Sequence, residues 1–424
     1  MDIAIRNGFV FEKKGIRRAD VGIDGNQIAA IETGITADYS IDASGGIVIP
    51  GLINAHTHTP MSLFRGLADD VTLHDWLENH IWPLEQHMTQ EETRAGAKLG
   101  ILKLIKTGTT TYSELYFHNE AIVEAVQESK IRANISWGIA SKEMSFDEIS
   151  KAIDKGRALI EKLRSTNRVK PMVAPHAPYT CHDWVIEELV AIANEYNCPL
   201  HTHLDETEDE KQLSSSEYNS SVQRLDELGF WDEDSVAAHA VHTPKDDLSL
   251  LASRGASIVH CPTANLKLSS GIAPVNKMRD IGLSVSIGTD SAASNNTLDM
   301  FREMRETALL AKHKAREPEA LSAREVFDMA TQGGARTLGR NSGELTPESL
   351  ADIVVVDLDS IAMTPAHDIV SNLVYAATGN CVETVLIDGN VVMENREVLT
   401  MDEEAVKKDA QEAVQKILRR HKKS

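Results

Sequence analysis

The chain has 424 residues, 42% hydrophobic and 25% charged, the make-up of a globular protein too long for one small core. Its formal net charge of −21 argues against nucleic acid and anionic membrane as partners, since both demand basic surface. No basic segment leads into a long apolar stretch at the start, no run approaches the roughly 18 apolar residues of a membrane span, and Cys181, Cys198, Cys261 and Cys381 are scattered singly. The expected location is therefore a reducing cytoplasm.

Short strands separated by turns are expected first, over residues 2–6, 19–23 and 27–31, with Asp24-Gly25 as a hairpin turn. The texture then changes to strand-like runs alternating with helical stretches, the pattern of a parallel sheet with crossover helices. Eight such runs are expected, at 47–58, 108–113, 131–139, 169–175, 199–204, 235–239, 257–261 and 283–290. A closed (β/α)₈ barrel requires that number. Helices at 91–105 and 183–195 are among the separators. β-rich segments return at 351–357, 382–387 and 390–393, and residues 402–423 read as an amphipathic helix whose basic end suits its negative pole. The expected fold is α/β: a (β/α)₈ TIM-like barrel over 49–342, and a small β-sandwich domain built from both termini, 1–48 and 343–424, the latter carrying the final helix.

The first barrel strand ends in Pro50-Gly51-Leu52-Ile53-Asn54-Ala55-His56-Thr57-His58. Residues i and i+2 of a strand point to one side, so His56 and His58 can aim two imidazoles at one point. Barrel enzymes place their chemistry at the C-terminal ends of the strands. There the fourth strand brings His176, the fifth His201, His203 and Glu206, the sixth His239, and the eighth Asp290. Three imidazoles and one carboxylate, with a position left for water, make a catalytic metal site, and His56, His58, His203 and Asp290 fill those roles most economically. One divalent ion per subunit is expected, because the fourth strand offers His176 where a bridging ligand would stand and Lys170 lies at its wrong end. Zinc is the expected ion, although such a ligand set also suits iron. Glu206 is then the general acid or base, and His239 orients the attacking water. His201 lies deeper and reads as a hydrogen-bonded core histidine, His242 and His260 as satisfied neighbours of the site.

With these residues in place, the chain resembles the amidohydrolase superfamily, and within it the adenosine-type deaminases acting on 5′-methylthioadenosine, S-adenosylhomocysteine or 5′-deoxyadenosine. The resemblance rests on the His-x-His segment, on Phe64-Arg65-Gly66-Leu67-Ala68-Asp69-Asp70, Trp82-Pro83-Leu84-Glu85, Pro175-His176-Ala177-Pro178-Tyr179-Thr180-Cys181, the run from Asn265-Leu266-Lys267-Leu268 to Pro274, and the run from Gly288-Thr289-Asp290 to Asn296. It implies hydrolytic deamination at C6 of a small adenine nucleoside, giving the inosine analogue and ammonia. Asp290 would take the proton of the attacking water, protonated Glu206 would donate to ring N1, and His239 would hold the water. Glu85 would bind the ribose hydroxyls, and His176 would contact the substrate. Trp82 and Trp137 are expected beside them.

One departure from the family pattern stands out. Relatives accepting S-adenosylhomocysteine often carry an arginine where this chain has Trp137. An arginine fork reads a carboxylate, whereas tryptophan offers apolar area and one donor. The expectation is preference for 5′-deoxyadenosine, 5′-methylthioadenosine or adenosine, unless Arg65 or Lys267 supplies the cation. The resemblance also implies a homo-oligomer, dimer or tetramer. Rival readings are a deaminase of a free base (guanine, cytosine), a triazine chlorohydrolase, and an inactive assembly protein.

Overall fold

The computed structural model describes residues 1–210 and 218–424. Eight parallel strands form its centre: Leu52–Thr57, Thr109–Tyr116, Arg132–Ile139, Val169–Pro175, His201–Leu204, Val236–His239, Ser257–His260 and Ser284–Ile287. The first four and the last four each pair in sequence order. A Val173–Leu200 bridge joins the two sets. The Asp290 amide donates to the His56 carbonyl at 3.0 Å, so the end of the eighth strand returns to the first. Runs such as Ser257–His260 are buried throughout, as expected of a parallel sheet covered by helices.

The helices start where local chemistry asks them to. Thr89 and Glu92 form a capping box ahead of Gln90–Lys106, and Ser145 and Glu148 another ahead of Phe146–Leu163. Each pair satisfies two orphan N–H donors reciprocally. The final helix, Glu403–His421, is tied to Gln90–Lys106 by Lys106–Glu403, Lys416–Glu91 and Arg420–Glu92 ion pairs.

The expected strand 47–58 is in fact two. Gly46–Pro50 pairs antiparallel with Ile353–Asp357 and parallel with Phe9–Glu12, in a seven-stranded sheet drawn from both termini. Only after Gly51 does the chain enter the barrel. A Cβ at Gly51 would lie 2.1 Å from Thr110 Oγ1, so no larger residue fits this transfer. The hairpin Phe9–Glu12 with Gly15–Arg18 extends the same sheet and was not expected. A second, four-stranded sheet contains Ile3–Arg6, Asp20–Asp24, Gln27–Glu32 and Tyr39–Asp42. Ile5, Val10, Val21, Val48, Val355 and Leu386 form part of one buried cluster between the two sheets.

At the foot of the barrel Arg132, 1% exposed, donates to Asp352 at 2.8 Å and to Asp388 at 2.9 Å, and Arg168 reaches Asp388 at 3.0 Å. A buried cation held by two carboxylates is costly to break, because the survivor is left unpaired. Among the described residues, no helix is long and apolar enough to cross a membrane.

Candidate active site and metal centre

The two imidazoles of the first strand are fixed by what lies behind them. His56 Nδ1 lies 3.0 Å from His201 Nε2, and His201 Nδ1 lies 2.8 Å from Ser136 Oγ. His201 is thus the buried partner that sets the His56 ring, a role in keeping with its deeper position. His58 Nδ1 donates to the Leu115 carbonyl, and His203 Nδ1 to the His176 carbonyl at 2.7 Å. With every Nδ1 engaged by the framework, the three Nε2 atoms turn inward together, the arrangement by which outer partners orient metal-binding histidines.

Asp290 completes the cluster. Its Oδ1 lies 3.2 Å from His58 Nε2 and 3.5 Å from His56 Nε2, while Oδ2 accepts from Ser294 Oγ at 2.5 Å. His58 and His203 Nε2 atoms are 3.3 Å apart. His56 Nε2 is buried and makes no hydrogen bond, although buried polar atoms normally find a partner. His56, His58 and His203 form one group able to hold a metal ion, and His56, His239 and Asp290 another. Nitrogen donors with one carboxylate, closely spaced and buried, fit a divalent transition metal.

His239 stands beside the cluster with Nδ1 2.8 Å from Asn265 Oδ1 and Nε2 3.6 Å from Glu206 Oε2. Both His239 (φ 75°) and Asp290 (φ 59°) occupy the left-handed region, which costs non-glycine residues energy and is tolerated mainly where function requires it.

Charge follows from this packing. Burial raises the Glu206 carboxyl, against the pull of His239. Burial also pushes His56 down to about 3. At His58 burial opposes the charge, but the Asp290 carboxylate overrides it and lifts the ring to about 9. Asp290 is disfavoured by burial, yet the close imidazoles of His56 and His58 hold it well below the usual carboxylate range.

A cavity of about 560 Å³ opens onto this cluster, lined by His58, His176, His203, Glu206, His239 and Asp290 and by Trp82, Glu85, Tyr116 and Trp137. That size suits one small ligand. Glu85 accepts a hydrogen bond from the Tyr116 hydroxyl, and burial raises its carboxyl to about 6. Trp137 lies against Gly156, where a Cβ would sit 2.2 Å from its indole Cδ2. Trp82 is 37% exposed. Neither Arg65 nor Lys267 lines the cavity, so the cations considered from sequence do not reach it. Lys267 is instead bound by Asp69, the Ala293 carbonyl and Asn296. Among the described residues, the one lysine in the lining is Lys155.

Sequence reasoning brought these residues to the strand ends but missed their supports. Asn265 and Ser294 lay within the segments named above without a role, and Tyr116 lies beyond the expected end of the second strand. Asn265 and Tyr116 act across elements, where spacing along the chain gives no signal, whereas Ser294 reaches Asp290 from four residues away.

Comparison with known proteins places the site in a family. The model of the amidohydrolase family matches residues 47–392. A 5-methylthioadenosine/S-adenosylhomocysteine deaminase of Thermococcus sibiricus is 43% identical, over 93% of this chain and 94% of the relative. A 5′-deoxyadenosine deaminase of Methanococcoides burtonii is 40% identical, over 99% and 98%. The crystal structure of an adenosine deaminase from Xanthomonas campestris with bound zinc superposes with a TM-score of 0.94 at 33% identity, over 98% of both chains. An atrazine chlorohydrolase from Arthrobacter aurescens gives 0.89 at 25%, over 97% and 100%. From the zinc-bound neighbour and the donor set, the centre is one for a divalent metal, and with a family match spanning all eight barrel strands, the chain belongs to the amidohydrolase family.

Proposed function

We propose that the protein is a metal-dependent deaminase of small adenine nucleosides, with 5′-deoxyadenosine, 5′-methylthioadenosine and adenosine as substrates. The carrying observation is one cavity that joins the metal-type cluster to two carboxyl groups, the buried Glu206 and the half-buried Glu85. Free bases and triazines have no ribose for Glu85 to hold. The named deaminase relatives favour the nucleoside reading over those alternatives.

A divalent ion at His56, His58, His203 and Asp290 supplies Lewis acidity, bringing the pKa of a water toward ~7. The residues supply the rest. Glu206, whose neutral form burial favours, donates its proton to ring N1, so no negative charge builds on the purine as C6 is attacked. Asp290 accepts the proton of the attacking water, and His239 Nε2 holds that water in line. A second proton transfer lets ammonia leave, and the inosine analogue remains. Glu85 receives the ribose hydroxyls and His176 contacts the substrate, with Trp82 and Trp137 forming apolar wall. Zinc is the proposed ion. The two terminal sheets are read as one β-sandwich domain beside the barrel, with the first boundary moved from 48 to Gly51, because Ile49 and Pro50 pair with Val354 and Ile353 in the terminal sheet.

Strand register supports a place for the 5′ substituent. Trp137 pairs directly with Tyr116, whose hydroxyl holds Glu85, so the indole stands next to the ribose end. Ammonia release is to be measured with adenosine, 5′-deoxyadenosine, 5′-methylthioadenosine, S-adenosylhomocysteine, guanine and cytosine. The uncharged nucleosides should exceed S-adenosylhomocysteine in kcat/KM by about tenfold, the worth of one missing charge-assisted contact. Turnover of free bases alone would remove the nucleoside from the account. Equal efficiency with S-adenosylhomocysteine would remove only the role given to Trp137.

Glu85 adds a pH signature. Above about 6 it is ionised and both oxygens can accept from the ribose diol. Below that value one oxygen carries a proton and ceases to accept. KM for adenosine should therefore rise about tenfold between pH 7 and pH 5, and Glu85→Gln should raise KM at both and flatten the dependence. A KM independent of pH in the unaltered protein would count against this role.

A further inference from the structure

Glu303 takes no part in the chemistry described so far, yet it is a fully buried carboxyl, 0% exposed, in the helix Met300–Ala315. One oxygen accepts from Asn295 Nδ2 at 2.8 Å, and the other accepts from the Thr263 backbone N–H at 3.2 Å. These two partners belong to different loops. Thr263 lies in the short helix Pro262–Lys267 that follows the seventh strand. Two residues on, Asn265 holds His239 Nδ1 at 2.8 Å. Asn295 lies in the loop after the eighth strand, where the same Nδ2 donates to the Thr289 carbonyl at 2.8 Å. Thr289 precedes Asp290, and Ser294 beside Asn295 donates to Asp290 Oδ2.

One carboxylate thus ties the loop that orients His239 to the loop that carries Asp290. Accepting the deaminase reading above, we propose that Glu303 is a positioning residue that sets His239 and Asp290 in register with each other. Both groups facing it are donors, which an ionised carboxylate satisfies with one oxygen each, and these hydrogen bonds oppose the burial that pushes its pKa up to about 7. Glutamine has the same shape but would set an NH₂ against one of those donors. The linkage reaches the water-holding imidazole and the proton acceptor without touching substrate. Its loss should slow turnover and leave nucleoside binding alone, since small displacements of reacting groups are expensive in rate.

The test uses the full-length, metal-loaded protein with Glu303→Gln, Asn265→Ala and the double variant. Glu303→Gln should lower kcat for adenosine by about 30-fold, with KM within about twofold and metal content unchanged. Because Glu303 acts partly through Asn265, the double variant should fall short of the product of the single losses by about fivefold or more. An unchanged kcat, or strictly multiplicative losses, overturns the proposal. If Glu303→Gln does not fold, Asn295→Ala breaks the same clamp from the loop side and should show the same kcat-only loss, an unchanged kcat again overturning it. The unaltered protein is the control for the reaction itself. If it turns over a free base instead of nucleosides, the deaminase reading falls while the same variants test the clamp on that base.

Discussion

Glu206→Gln should lower kcat on adenosine by about 10³-fold while the protein keeps its metal and its fold, the middle of the range for removing a positioned general acid. The substitution is isosteric and touches no member of the candidate ligand set. Glu206 faces His239 Nε2 at 3.6 Å, and Ser270 Oγ donates to it at 3.4 Å, contacts an amide can largely keep. What the amide lacks is a transferable proton. Burial raises the Glu206 pKa, so the acid form persists to higher pH than for an exposed glutamate. The sign follows: kcat/KM should decline on the alkaline side as Glu206 ionises, and the variant's residual rate should lose that limb. Steady-state rates across pH, with metal content measured on the same samples, decide the matter. Retention of more than about a tenth of kcat would assign the proton donor elsewhere.

Stripping the metal with a chelator should abolish turnover and lower Tm by several degrees. Without an ion, His56 Nε2 is a buried atom with no hydrogen bond, and the Asp290 carboxylate is offset by the neighbouring imidazoles and the Ser294 hydroxyl. An ion that binds the folded state alone stabilises it by about 4 kcal/mol at a thousandfold excess over its Kd. Readdition of zinc should restore both activity and Tm, and iron tested in parallel identifies the better ion by kcat at equal occupancy. Full activity in protein shown by elemental analysis to be free of metal would remove the metal from the reaction.

How far the chain could be read in advance depended on whether the signal was local. His56 and His58 were legible because strand alternation links i and i+2, and His203, His239 and Asp290 because each closes an apolar run. His201 could be set apart as a core histidine by its depth, but its contact with His56 crosses from the fifth strand to the first and no spacing encodes that. The divide at Gly51 was hidden because Gly46–Pro50 and Leu52–Thr57 form one continuous strand-like run, are both buried throughout, and are told apart by their partners. The Phe9–Arg18 hairpin was masked by charged residues, its outer strand being largely exposed. Asn265, Tyr116 and Glu303 lie on separate elements and meet their partners only through folding.

The passage across Gly51 has a consequence for how such proteins can change. The strand that ends in the first two histidines continues, after one residue, a strand clasped between segments near both chain ends. Arg132, at the same end of the barrel as that crossing, is fastened to Asp352 and Asp388, both in the C-terminal segment. The terminal sheets are therefore not baggage that can be shed or exchanged by recombination at a loop. Heredity must carry them with the chemistry, and a chimaera that joins one relative's barrel to another's ends must preserve glycine at that crossing and both carboxylates beneath it.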